Sequence, residues 1–111
     1  MIDITLDEYQ DFVETTWITD ADPIKEELRI VAGLAEEMGE VFGKIKKYHR
    51  GDMNAMEFRD VILDELGDVE YYLAKLYNLY DLRRIDSLKN NHEKLLDRKA
   101  RNVIRGSGDK R

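Results

Sequence analysis

The sequence predicts a single all-α domain, because its hydrophobic spacing is helical, its capping residues mark helix starts and strand signals are missing. Apolar residues recur at intervals of three and four along four segments of the 111-residue chain. Period-2 runs of β-branched residues and the Asn-Gly or Asp-Gly pairs of hairpins do not occur. We therefore expect one four-helix domain over residues 1–105, with two long antiparallel helices, and a C-terminal tail over residues 106–111.

Local signals bound the first two helices. The first is predicted over about residues 6–17, because Thr5 is followed three residues later by a glutamate, which forms a capping box. The second is predicted over about residues 23–48, because Asp22 is an N-cap residue with proline directly after it. Gly51 is a plausible residue for ending that helix.

The last two helices also begin at capping residues. Asn54, with a glutamate three residues on, opens a long helix that runs to about residue 80. Asp86 or Ser87 opens the fourth helix, which ends near Arg101. A domain this small buries a modest core, and the third helix carries apolar and tyrosine positions all round its second half. We therefore expect a homodimer or a homotetramer.

The composition narrows the range of functions. The net charge is −6, and an acidic surface repels phosphate, which argues against stable nucleic-acid binding. Residues 89–111 hold eight Lys/Arg and three Asp/Glu, so this end suits an anion while the acidic remainder suits a divalent cation. No apolar run approaches the roughly 20 residues that span a bilayer. The absence of cysteine and of a secretory signal fits a cytoplasmic protein.

One seven-residue pattern occurs twice. Residues 35–41 read Ala-Glu-Glu-Met-Gly-Glu-Val, and residues 63–69 read Leu-Asp-Glu-Leu-Gly-Asp-Val. Gly39 and Gly67 occupy the same place in the two copies, although glycine inside a helix costs about 1 kcal/mol relative to alanine. Close approach of a backbone or a ligand would explain these glycines, and so would a tight helix crossing.

The acids of the two copies lie at matching positions on their helices. On a helical wheel, Glu37 and Glu40 lie at one margin of the apolar face of the second helix. Glu65 and Asp68 lie at the same margin of the third helix. Packing these faces together would present four carboxylates to one cleft, where their repulsion calls for a neutralising cation.

Oxygen ligands favour Mg²⁺, Mn²⁺ or Ca²⁺. A di-iron bundle would need Glu-x-x-His, whereas His49 and His92 each follow a lysine at that spacing. A Glu-x-x-Glu pair on a helix is also common on solvated faces that bind no metal, so a single copy would carry little weight. The repetition of the pattern favours a metal site.

At these residues the sequence resembles the MazG-like all-α nucleoside triphosphate pyrophosphohydrolases. Their hallmark is Glu-x-x-Glu followed by Glu-x-x-Asp, which here is formed by residues 37–40 and 65–68. The resemblance extends along nearly the whole chain and includes Tyr9-Gln10, Asn91-x-x-Lys94-Leu95-x-x-Arg98 and Gly106-Ser107-Gly108-Asp109-x-Arg111. It implies an enzyme that cuts nucleoside triphosphates into a monophosphate and pyrophosphate.

The resemblance also implies a metal centre. Mg²⁺, with Mn²⁺ as a possible substitute, would be held by Glu37, Glu40, Glu65 and Asp68. A water would attack the α-phosphorus, and the metal would acidify that water and neutralise the leaving group. Glu36 is the candidate general base, and its alternative role is that of an exposed glutamate.

Further residues are candidates for binding the substrate. Asn91, Lys94 and Arg98 would contact the phosphates, unless the basic last helix merely balances an acidic body. Tyr72 and Trp17 are aromatic candidates near the nucleotide, and each has packing as its alternative role.

Two other functions stay open. Phosphoribosyl-ATP pyrophosphohydrolase belongs to the same superfamily and would share the metal chemistry, although the Tyr-Gln start and the Gly-Ser-Gly-Asp ending favour the MazG-like branch. A non-catalytic helical interaction module would carry the same acids as a solvated surface. Such a module should gain no thermal stability from Mg²⁺ beyond the effect of ionic strength.

Overall fold

The computed structural model describes residues 2–106 and 108 and confirms the all-α class. The four helices are α1 (Leu6–Glu14), α2 (Pro23–His49), α3 (Ala55–Leu79) and α4 (Arg84–Ala100). Within the described residues there is no strand. Of the predicted tail, Ser107 and residues 109–111 lie outside the described residues.

The helix starts that the sequence marks with capping residues are confirmed. The Thr5 hydroxyl accepts from the backbone N–H of Glu8 at 3.1 Å, and the Glu8 carboxylate accepts from the Thr5 N–H. Asn54 forms the same reciprocal pair with Glu57. Asp22 accepts from the first backbone N–H groups of α2. These caps satisfy donors that a helix N-terminus otherwise leaves without a partner.

The predicted end of α1 is wrong by one turn. The helix stops at Glu14 rather than near Trp17. The hydroxyls of Thr15 and Thr16 donate to the carbonyls of Phe12 and Val13, at 2.7 and 2.9 Å. Two consecutive threonines therefore satisfy the last carbonyls with side chains, and β-branched residues favour helix continuation weakly.

Gly51 ends α2 as expected. Its φ of +90° lies in the left-handed region that glycine adopts without strain. The N–H of Gly51 donates to the Tyr48 carbonyl and that of Asp52 to the Lys47 carbonyl, each at 3.0 Å. These two bonds form a Schellman motif, which turns the chain back towards α3.

The predicted start of α4 is also wrong. The helix begins at Arg84, before the expected Asp86 or Ser87. The side chain of its N-cap residue, Arg83, makes no capping hydrogen bond. Instead, the side-chain carbonyl of Gln10 in α1 accepts from the Arg84 N–H at 2.9 Å. The cap comes from a distant part of the chain, which a local sequence signal does not indicate.

The long helices α2 and α3 form an antiparallel pair. Near the connection between them, the rings of Tyr48 and Phe58 stack with centroids 4.4 Å apart. Further from the connection, Gly33 of α2 lies against Tyr72 of α3. Helix α1 packs on α3, and α4 packs on α1.

The hydrophobic core of the single chain is small. Among the described residues, the buried apolar ones are Val13, Ile30, Val41 and Ala74. Large apolar side chains remain exposed on all four helices, among them Phe12, Phe42, Leu63 and Leu96. No helix of the described residues has the length and apolar character needed to cross a membrane.

Candidate metal centre

Three acids from the two copies of the repeated pattern converge. One carboxylate oxygen from each of Glu37, Glu65 and Asp68 lies within 4.8 Å of the others. Glu37 and Glu65 are partly buried, whereas Asp68 is exposed. We call these three residues the acid cluster. Side chains on both helices meet here because α2 and α3 run antiparallel with their matching margins on the same side.

Glu40 and Glu36 are exposed and lie beside the acid cluster rather than in it. Both are nevertheless close enough for their charges to act on Glu37. The structure thus brings together three of the four predicted metal ligands. Glu40 and the candidate base Glu36 stay predictions.

The acid cluster concentrates negative charge in a small volume. Partial burial raises the pKa of Glu37 above its usual range, and the charges of Asp68, Glu36, Glu65 and Glu40 raise it further. Both effects disfavour the ionised carboxylate. A cation at this place would reverse the electrostatic part of that penalty, because it favours the charged form of every acid around it.

A lysine that the sequence analysis did not single out contacts the acid cluster. The Nζ atom of Lys44 lies 3.9 Å from Oε1 of Glu65, and both side chains are partly buried. Lys44 follows Glu40 by about one helical turn and therefore lies on the same side of α2 as the predicted ligand. This spacing was the available sequence signal for Lys44.

The two glycines of the repeated pattern are not explained by helix crossing within the chain. A Cβ atom built on Gly39 or Gly67 meets no heavy atom within 4 Å among the described residues. The tight crossing of α2 and α3 occurs at Gly33 instead. The space beside Gly39 and Gly67 therefore stays available to a ligand or a second chain.

The predicted aromatic residues pack against each other. Trp17 and Tyr72 meet edge to face, with ring centroids 6.0 Å apart. The indole N–H of Trp17 donates to Oε1 of Glu26 at 2.9 Å. The Arg29 guanidinium and the Lys75 ammonium lie 4.7 and 5.1 Å from the Trp17 ring centroid. Trp17 thus has a packing role between α1, α2 and α3, and the structure does not test nucleotide stacking on it.

The predicted phosphate-binding residues lie on α4. Asn91 is exposed, Lys94 is partly buried, and Arg98 is 4% exposed with a guanidinium contact of 3.5 Å to the Gly108 carbonyl. No ion pair between described residues joins α4 to the acid cluster. The roles of Asn91, Lys94 and Arg98 at the acids stay predictions.

A second feature near the acids emerges only from the tertiary structure. The start of α1 and the middle of α3 enclose an apolar cleft of about 320 Å³, lined by Ile4, Leu6, Tyr9 and Gly67 together with Thr5 and Glu70. Burial raises the pKa of the Tyr9 hydroxyl, and nearby Glu70, Tyr71 and Asp68 add to the shift. The Tyr-Gln pair was the available sequence signal for Tyr9, but it did not indicate the cleft.

Known proteins place the chain in a family without naming a reaction. The chain is 40% identical over 94 residues to the Gene 37 protein of Mycobacterium phage L5, and the alignment covers 83% of this chain and 82% of the phage protein. This chain belongs to the gene 37 protein family. No protein-family model matches it. No solved structure matches it significantly. The name gene 37 protein states no activity.

Proposed function

We propose that the protein hydrolyses ribo- or deoxyribonucleoside triphosphates to a nucleoside monophosphate and pyrophosphate with the aid of Mg²⁺. The observation that carries the proposal is the convergence of Glu37, Glu65 and Asp68 within 4.8 Å. These acids come from both copies of the repeated pattern that resembles the MazG-like motif. The resemblance supports the reaction, and the convergence supports a metal site at these acids.

The donor set of the acid cluster fits a hard divalent cation. All of the donors are carboxylate oxygens, which Mg²⁺ and Mn²⁺ prefer. Burial raises the pKa of Glu37, and the negative charges of the neighbouring acids raise it further. Exposed Asp68 leaves the cluster open to solvent and to a substrate that brings its own ligands. We propose that Glu37, Glu65 and Asp68 hold the cation and that Glu40, whose charge already acts on Glu37, completes the set.

The residues around the acid cluster have distinct roles in this proposal. When bound, Mg²⁺ supplies acidification of water and charge neutralisation of the phosphates. Glu36, exposed next to Glu37, accepts the proton from the attacking water. Lys94 and Arg98 give α4 the positive charge that suits the departing pyrophosphate, and Asn91 adds an exposed polar contact.

We propose in addition that the protein works as a homodimer or a homotetramer. A core of Val13, Ile30, Val41 and Ala74 is small for a chain of this length, and several large apolar side chains of α4 are exposed. Helix α4 packs on α1, and a second copy would offer a further route for basic α4 residues to reach the acids.

The bond that is cut separates this reaction from that of a phosphatase. We expect equal amounts of monophosphate and pyrophosphate when the protein meets a panel of nucleoside triphosphates with Mg²⁺. Hydrolysis in ¹⁸O-water should place the label in the monophosphate, because water enters at the α-phosphorus. Label in pyrophosphate would place the attack at the β-phosphorus. Nucleoside diphosphate and orthophosphate as products, or no turnover across the panel, would overturn the proposal.

A further inference from the structure

Lys44 differs from the other lysines at its end of α2. Its side chain is 25% exposed and partly buried, whereas the side chains of Lys46 and Lys47 are exposed. Lysine buries its aliphatic stem readily but keeps its ammonium near water or a partner. Here the ammonium is directed to the acid cluster, 3.9 Å from Oε1 of Glu65. Among the ion pairs between described residues, the Lys44–Glu65 pair is the one that includes an acid of the cluster.

The contact compensates part of the charge of the acid cluster. Three carboxylates within 4.8 Å repel one another, and one ammonium beside Glu65 offsets some of that repulsion. The separation of 3.9 Å is long for a hydrogen bond, so the attraction is mainly between charges and needs little geometric precision. A flexible four-carbon stem also lets the ammonium leave without a change in the helix.

We propose that Lys44 is the built-in counter-cation of the acid cluster and that a divalent cation has to displace it from Glu65. The inference rests on the proposed function in so far as the cluster binds such a cation. In the metal-free protein Lys44 holds α2 and α3 together across the repelling acids. Once displaced, its ammonium stays within the length of its side chain of the site and offers three donors to the phosphates of the substrate.

The matched control for Lys44 is Lys46. Both residues lie in the last turns of α2, and the replacement of either by methionine removes one positive charge and keeps a long stem. Lys46 lies two residues further on, on the opposite side of the helix, and is exposed. Lys44→Arg keeps the charge at the tested position, and Lys44→Gln is a second neutral variant should Lys44→Met fail to fold.

The test is calorimetric titration of each variant with Mg²⁺ alone, without nucleotide. We expect Lys44→Met to bind Mg²⁺ about three- to tenfold more tightly than Lys46→Met, because the competing charge is gone from a partly exposed site. Lys44→Arg should bind like the wild type. In EDTA, Lys44→Met should melt at a lower temperature than Lys46→Met, and saturating Mg²⁺ should narrow or reverse that difference.

Each outcome bears on the inference. Equal Mg²⁺ affinity for Lys44→Met and Lys46→Met, with the wild type binding normally, would overturn the role of Lys44 and leave the proposed function standing. Weaker binding by Lys44→Met would also overturn it. An absence of Mg²⁺ binding in the wild type and in every variant would overturn the metal site and the counter-cation together.

Discussion

Gly33 of α2 and Tyr72 of α3 are in such close contact that a Cβ atom on the glycine would lie 2.2 Å from Cε1 of the tyrosine. Gly33 precedes Glu37 by about one turn, and Tyr72 follows Asp68 by about one turn. The contact therefore sets how closely the two helices approach directly beside the acid cluster. Tyr72 also meets Trp17 in an edge-to-face contact, which restricts where the tyrosine ring can move.

The first prediction concerns this contact. Gly33→Ala should destabilise the protein by about 1–2 kcal/mol, because the added methyl group overpacks the Tyr72 ring by more than the gain in helix propensity offsets. Gly39→Ala is the matched control in the same helix, since its Cβ meets nothing within 4 Å. It should stabilise the metal-free protein by up to about 1 kcal/mol. Urea denaturation measures both, and equal stability of the two variants would contradict the close contact.

The second prediction concerns the acids. Asp68→Asn and Glu40→Gln should each abolish turnover while the fold stays intact or gains stability, because each removes a ligand charge and also relieves repulsion. Asp64→Asn is the control, since Asp64 is exposed on α3 within the same repeated pattern but outside the acid cluster. It should retain most of the wild-type rate. Near-wild-type turnover by either test variant at saturating Mg²⁺ would refute the four-acid set.

The third prediction is a pH dependence that arises from Glu37. Its pKa is raised in the folded protein, so ionisation of this carboxyl disfavours folding. This destabilisation of the folded state is absent below the ordinary glutamate pKa of about 4.3, and it is fully present above the raised pKa of Glu37. In EDTA at pH 7, Glu37→Gln should therefore melt above the wild type, and the difference should shrink as the pH falls to 4.

The control for this pH dependence is Glu93→Gln, since Glu93 is an exposed acid on α4. The difference in melting temperature between Glu93→Gln and the wild type should change little between pH 7 and pH 4. In the wild type, Mg²⁺ affinity should fall as the pH drops through the raised pKa of Glu37, because protons compete with the metal. A melting difference for Glu37→Gln that grows on acidification would contradict the assignment.

The fourth prediction concerns Gln10, which is 1% exposed at the corner between α1, α3 and α4. Its amide N–H groups donate to Asn78 Oδ1 and the Leu82 carbonyl, at 2.8 and 2.7 Å, while its carbonyl caps Arg84. Gln10→Ala should cost about 2–4 kcal/mol, because it removes a buried side chain and leaves three partly buried polar groups without their partner. Asn90→Ala, at an exposed position of α4, should stay within about 0.5 kcal/mol of the wild type.

Hydrogen exchange gives the Gln10 prediction a second, local measurement. The first amides of α4 should lose protection in Gln10→Ala before those in the middle of α2 do, because the cap of α4 is removed. Uniform loss of protection along both helices would instead indicate that Gln10 contributes only to global stability.

The fifth prediction concerns assembly. Sedimentation should show a dimer or a tetramer at low micromolar concentration, because Leu95 and Leu96 are 41% and 53% exposed on α4. Leu96→Glu should dissociate the assembly, whereas Ser87→Glu, which adds the same charge at an exposed position of α4, should leave it unchanged. A folded, monodisperse wild-type monomer would reject the prediction.

Most of the helical architecture could be predicted from the sequence, because its determinants act over a few residues. The capping boxes at Thr5 and Asn54 and the left-handed Gly51 are local hydrogen-bond and backbone effects, and the structure confirms them. The phase of the acids on α2 and α3 follows from helical periodicity in the same way. Local rules also explain why the predicted end of α1 was wrong. Thr15 and Thr16 end the helix by hydrogen bonds from their hydroxyls, whereas the hydrophobic spacing continues to Trp17.

Only the tertiary structure decided the relationships between residues that are far apart in the chain. Gln10 caps α4 from α1, Gly33 sets the approach of α2 and α3, and Lys44 reaches Glu65. A helical wheel gives a direction for each side chain but no distance between two helices, so only the tertiary structure shows that Glu37, Glu65 and Asp68 converge within 4.8 Å. Interhelical distance depends on side-chain volumes at the contact, and here one glycine and one tyrosine ring decide it.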